Sequence, residues 1–156
     1  MLPAEYRHNS TCSPLAASGK YVLAGALYDG VTLVFDAETE KLVRVVPRPK
    51  DSVWWKSTAG APAGETYLAT VPNGDLYHYD IKKDQLSLVA SALGQCERVV
   101  EKRYVHGISD QDYFLFDLKE NKFLDRAPLA EAKDGMDIYT LTGAADGNIY
   151  GSTYIN

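Results

Sequence analysis

The chain has 156 residues, 46% hydrophobic and 24% charged, which suits one globular domain with one core. Its net charge of −5 and pI near 5.1 exclude a nucleic-acid interface built on a basic face; the nearest thing to a basic cluster, Lys82-Lys83, falls inside an expected turn. Eleven tyrosines, against four phenylalanines and two tryptophans, favour half-buried pleated strands.

The N-terminal stretch MLPAEYRHNSTCSP lacks a basic start followed by an apolar run, so it does not read as a signal peptide, and the compartment stays open. Asn9-Ser10-Thr11 is a formal glycosylation sequon without a secretory context. Cys12 and Cys96 are too far apart to specify a disulfide framework or a metal site.

Four units follow in chain order. Residues 11–47 contain SPLAAS, GKYVLAG, an Asp29-Gly30 turn, LVFDAETEKL and KLVRVV. The longest apolar run, about eight residues from Tyr21, is too short to span a bilayer. Residues 52–92 contain SVWWKST, GETYLAT, an Asn73-Gly74 turn, YHYDIKKDQL and QLSLVAS. Residues 95–128 contain CERVVE, KRYVHGI, the polar Ser109-Asp110-Gln111-Asp112 and FLFDLKENKF. Residues 136–156 contain DIYTLTG, an Asp146-Gly147 turn and GNIYGST. No stretch carries convincing helical periodicity; LAEAKDGM could form one turn, limited by Gly135.

The units share internal spacing. Three of the units carry an aromatic-Asp pair at the matching place: Phe35-Asp36, Tyr79-Asp80 and Phe116-Asp117. Six residues after each aspartate stands a large apolar residue, Leu42, Leu86 or Phe123, preceded by a polar pair. The alternation before the aspartate is that of a strand. The carboxylate can accept N–H groups of the following turn, so Asp36, Asp80 and Asp117 are expected to be structural turn residues. A tyrosine opens a strand upstream of each: Tyr21, Tyr67 and Tyr104, with Tyr150 in the fourth unit. The Asp-Gly and Asn-Gly pairs between them are hairpin signals, because both central residues of such a turn take positive φ.

Each complete unit therefore reads as four short antiparallel strands. Repetition at 37–46 residues is the pattern of β-propeller blades. The expected fold is all-β: a single partial propeller of about three and a half blades, part of a larger ring. The fourth tyrosine has no aromatic-Asp element after it, so the last blade is expected to be half built. Its open edge predicts self-association through that C-terminal blade.

DGNIYGSTY resembles the Asp-Gly-x-Ile-Tyr-Gly strand of streptogramin-lyase-like, quinoprotein-like and YVTN-type propellers. VFDAETEKLVRVV resembles their aromatic-Asp-x-x-Thr-x-x-Leu hairpin, and the likeness covers most of residues 18–156. The third unit departs from it, with Gln111 where a glycine is usual. The resemblance implies a propeller; members of this group include lyases, lactonases, cofactor-dependent dehydrogenases and binding domains, so it selects no activity. The lyases place histidines and carboxylates around a metal, and no such constellation can be carried over to this sequence.

Trp54, Trp55 and Lys56 form the leading ligand-binding candidate, because an innermost blade strand lines the central channel and an indole can stack on a sugar ring. His106, after KRYV, is placed toward a strand end within reach of a ring surface, or in a solvated loop. His78 alternates with Leu76 and is expected between blades. Glu101-Lys102-Arg103 reads as a solvated turn. There is no phosphate loop, nucleophile elbow or paired-carboxylate motif. The sequence thus points to a binding or interaction module for a carbohydrate, small molecule or protein, with no cofactor, metal, nucleic acid or membrane. The alternative is a fragment of a propeller-type lyase or hydrolase.

Overall fold

The computed structural model describes residues 16–26, 30–49, 54–58, 63–71, 73–109, 112–128, 136–143 and 148–155. These residues are all-β, and the sheets are antiparallel. The first sheet holds β1 (Ala16–Ser18), β2 (Tyr21–Ala26), β3 (Val31–Asp36) and β4 (Lys41–Pro47). The second holds β5 (Trp54–Thr58), β6 (Glu65–Val71), β7 (Leu76–Asp80) and β8 (Gln85–Ala90). The third holds β9 (Gln95–Val100), β10 (Tyr104–Ser109), β11 (Asp112–Asp117) and β12 (Lys122–Pro128). A two-stranded sheet of β13 (Met136–Gly143) and β14 (Ile149–Ile155) follows. Neighbours in the chain are neighbours in each sheet, so every sheet is a meander. The Asp146-Gly147 and Asp29 turn positions, Cys12 and the sequon lie outside the described residues.

The sheets stack in order. β2 and β3 lie against β5, β5 and β6 against β9, and β9 and β10 against β13. Both faces of the middle sheet are apolar, so the core is divided rather than single. Tyr79, Ile81 and Leu68 pack with Leu23, Val34 and Val46 of the first sheet. Tyr67, Ala69 and Leu76 pack with Cys96, Val99, Val105, Phe114 and Phe116 of the third. Alternation along β7 produces this split: Leu76 serves one cluster and Tyr79 the other.

One turn design recurs three times. Asp36 Oδ1 accepts the amides of Glu38 and Thr39, both at 3.0 Å. Asp80 Oδ1 accepts those of Lys82 and Lys83 at 3.1 and 3.0 Å, and Asp117 Oδ1 those of Lys119 and Glu120 at 2.9 and 3.3 Å. The residue after each aspartate, Ala37, Ile81 or Leu118, donates its N–H to the carbonyl of Lys20, Gly64 or Arg103. Each turn ends on a left-handed residue: Glu40 (φ 55), Asp84 (φ 56) and Asn121 (φ 50). Opposite the aspartates stand Tyr21, Glu65 and Tyr104. Tyr67 is therefore two residues inside its strand, and Glu65 holds the position that tyrosine takes in the other two sheets.

The Asn73-Gly74 hairpin also differs from the tight two-residue form. Gly74 (φ 70) is left-handed there, and its N–H bonds the Thr70 carbonyl at 3.0 Å. A Cβ on Gly74 would sit 2.2 Å from the Gly94 amide nitrogen, so glycine permits the β6–β7 turn to touch the β8–β9 link. The two-residue turn with both φ positive occurs instead at Glu101-Lys102 (φ 53 and 55), closed by Arg103 N–H to the Val100 carbonyl at 2.9 Å.

Each turn aspartate also meets a cation. Arg103 grips Asp117 through Nε (2.9 Å) and Nη2 (2.6 Å), Lys20 reaches Asp36 at 2.6 Å, and Lys83 reaches Asp80 at 2.9 Å. The Asp117 side chain is 2% exposed, Asp36 8% and Asp80 20%. The Arg103 guanidinium holds the Asp117 carboxyl at about 2, below its usual 3.8. A depressed folded-state value means that its stabilisation is full above 3.8 and is lost as pH falls toward 2. Melting temperature followed from pH 7 downward should therefore drop steeply in that interval. Asp117→Asn should melt lower at pH 7 and show a flatter acid limb, and Asp80→Asn should change least.

Thr32 is fully buried on β3, and its hydroxyl has no hydrogen-bond partner among the described residues. An unpaired buried hydroxyl costs about 1–3 kcal/mol, and valine has nearly the same shape. Thr32→Val should raise stability by about 1 kcal/mol in urea unfolding.

Candidate functional site

The residues singled out for binding fall on two strands. Trp54, Trp55 and Lys56 open β5, pairing with Val71, Thr70 and Ala69 of β6. β5 is the first strand of its sheet and runs beside β9, the first strand of the next. The side chains of Trp54, Trp55 and Lys56 lie outside the described part of the structure.

His106 is one strand away, on β10, between Arg98 of β9 and Leu115 of β11. It lies inside the strand rather than in a loop. Its Nδ1 shares a 2.8 Å hydrogen bond with the Tyr113 hydroxyl, and the two rings are tilted at 6.0 Å. Burial, helped by Arg98, pushes the imidazole below its ordinary 6.5 and the ring is neutral at pH 7. Such a histidine fixes the Tyr113 hydroxyl, and it is half-buried.

β9 bulges here. Arg98 pairs with His106 and Cys96 with Gly107, leaving Glu97 as the extra residue. Glu97 is buried, and its Oε1 accepts the Gln95 amide at 2.7 Å. This carboxylate is not legible in the sequence, because a single Glu in an alternating strand carries no signal that it occupies a bulge. Cys96 is a buried thiol in the same strand.

A polar joint connects the second and third sheets. Glu65, at the start of β6, accepts His78 Nε2 at 2.8 Å and Lys102 Nζ at 2.9 Å. The Tyr67 ring leans on His78 at 5.3 Å and 55°. Lys102, with His78, pulls the Glu65 carboxyl below its ordinary value. Both bonds favour the ionised form, so this carboxylate is a fixed anion rather than a proton carrier at neutral pH. The left-handed turn at Glu101-Lys102 aims the lysine across the gap. The run Glu101-Lys102-Arg103 is thus no simple solvated turn: Lys102 bridges sheets and Arg103 binds a buried aspartate. A signal for the second contact was present, since a basic residue directly precedes the tyrosine in both GKY and KRY. Lys20 and Arg103 occupy matching places and lie over the Tyr21 and Tyr104 rings at 5.7 and 4.9 Å.

Among the described residues, no group of three His, Cys, Asp or Glu side chains could hold a metal ion. The chain matches no protein-family model and no curated protein.

Because the Glu65 side chain joins two partners and Lys102 one among the described residues, the joint makes an ordered prediction. Glu65→Gln should cost about 1–2 kcal/mol, and Lys102→Met, half-exposed, about 0–1 kcal/mol. Urea unfolding of the two variants and the double variant measures both terms, and the double variant should lose less than their sum.

Proposed function

We propose that the chain is part of a β-propeller acting as a binding or interaction module, which recognises a carbohydrate, a small molecule or a protein through its channel or a loop face. One observation supports this above the others. Three consecutive four-stranded meanders share one turn design, and the first strands of the second, third and fourth sheets run side by side, β5 next to β9 and β9 next to β13. Repeated sheets arranged with their first strands together define an axis, and ligands of propellers gather at its mouth. Trp54, Trp55 and Lys56 stand on β5, the first strand of its sheet; successive strand residues alternate between faces, so one of the two indoles would be offered to a ligand, and a lysine suits an anionic group on it.

Titration of the full chain with a panel of neutral and acidic oligosaccharides, followed by tryptophan fluorescence, tests the reading. Binding should shift the emission, and the acidic sugars should respond more strongly. Trp54→Phe and Trp55→Phe together should weaken binding by about 2 kcal/mol or more if the indoles stack on the ligand, as for aromatic anchors elsewhere. Calorimetric binding unchanged by the double substitution removes these residues from the site.

A further inference from the structure

The last strand of each four-stranded sheet, β4, β8 or β12, lies at an edge with no further strand beyond it among the described residues. Such an edge offers unpaired N–H and C=O groups to any extended chain, and proteins guard against this with charge, proline and bulges. Two of the three edges are guarded. β4 carries Lys41 and Arg44 and ends on Pro47; β12 carries Lys122, Asp125 and Arg126 and ends on Pro128. Their bulges, at Val43 and Leu124, interrupt the strand near its start.

β8 differs in charge, proline and bulge. Gln85–Ala90 has neither charge nor proline, and its bulge comes late, at Val89, so Gln85 to Leu88 run regularly. Leu86, Leu88 and Val89 are 37%, 54% and 38% exposed. Leu86 and Leu88 stand opposite Tyr79 and Tyr77 and share one face.

We propose that β8 is a homodimerisation edge, pairing antiparallel with β8 of a second copy about a two-fold axis at Ser87. The choice of a second copy rests on self-complementarity. A pairing centred on Ser87 sets Leu86 against Leu88 of the other copy, twice, and joins two four-stranded sheets into one of eight. The paired segment, Gln85 to Val89, contains no charged residue, since Lys83 and Asp84 belong to the preceding turn, so no charge faces its like. The same operation about the midpoint of β4 sets Arg44 against itself, and about the midpoint of β12 Asp125 against itself. The contact is small, so the dimer is reversible and depends on concentration.

Sedimentation equilibrium of the full chain over a wide concentration range tests this. The native chain should dimerise. Leu88→Lys should remain monomeric at concentrations where the native chain is dimeric. Ser87→Lys and Ser87→Glu should each weaken the dimer several-fold, and their equimolar mixture should recover it, because the axis sets residue 87 against itself. The mixing arm stands even if Leu88→Lys lowers the melting temperature, since Ser87 is exposed. A native chain that stays monomeric throughout overturns the proposal. So does self-association that survives Leu88→Lys, which would place the contact on another surface, or a mixture no tighter than its components.

Discussion

A sheet that is apolar on both faces must be covered twice, and most of this structure follows from that requirement. The middle sheet directs Leu68, Tyr79 and Ile81 one way and Tyr67, Ala69 and Leu76 the other. Neither set can be buried by folding the chain back once. The solution is a series of thin sheets, each covering the next, with the hydrophobic core divided among the gaps. Two buried clusters in place of one core are the direct result.

Polar chemistry is then confined to the strand ends and to the joints between sheets. The turn carboxylates, the cations that meet them and the Glu65 joint all lie where strands turn. The turns there hold left-handed backbone at Glu40, Asp84, Lys102 and Asn121, which costs about 1–2 kcal/mol at a residue such as glutamate or lysine and less at aspartate or asparagine. At Lys102 the same turn carries a contact across the gap to Glu65. At Glu40, Asp84 and Asn121 the cost accompanies a turn whose amides are taken by an aspartate. Local strain and local hydrogen bonding are thus coupled in one short segment.

Much of the all-β architecture was legible because its signals are local. Period-two alternation ending in an aromatic-Asp pair specifies a strand and the cap of its turn within ten residues, as in LVFDAETEKL. Features that depend on loop length or on another sheet were not legible. Tyr67 looked like Tyr21 and Tyr104, but register is set by the whole hairpin, and Glu65 took the matching place. Nothing in Glu101-Lys102 announces two positive φ angles, since neither Gly nor Asn is present. His106 was expected at a strand end or in a loop; it lies within β10, and its bond to Tyr113 was not legible because it is diagonal across strands. For the candidate site, the sequence reached as far as placing Trp54 and Trp55 on the first strand of a sheet. Which ligand such a surface takes depends on side chains from neighbouring sheets, which no spacing along the chain encodes.

The repeated turn leaves one freedom open. The amides of Glu38, Thr39, Lys82, Lys83, Lys119 and Glu120 bond the aspartates through the main chain alone. These two bonds ask nothing of the side chains at those six positions. The scaffold therefore separates what it must keep from what it can rewrite: one carboxylate per turn preserves the frame, while the decoration around it can drift or be diversified. Randomising Thr39, Lys82, Lys119 and Glu120, with Lys83 kept for its ion pair to Asp80 and Glu38 for its contact with Lys20, would vary the surface at all three turns while leaving those bonds in place, an arrangement suited to building new recognition surfaces by selection.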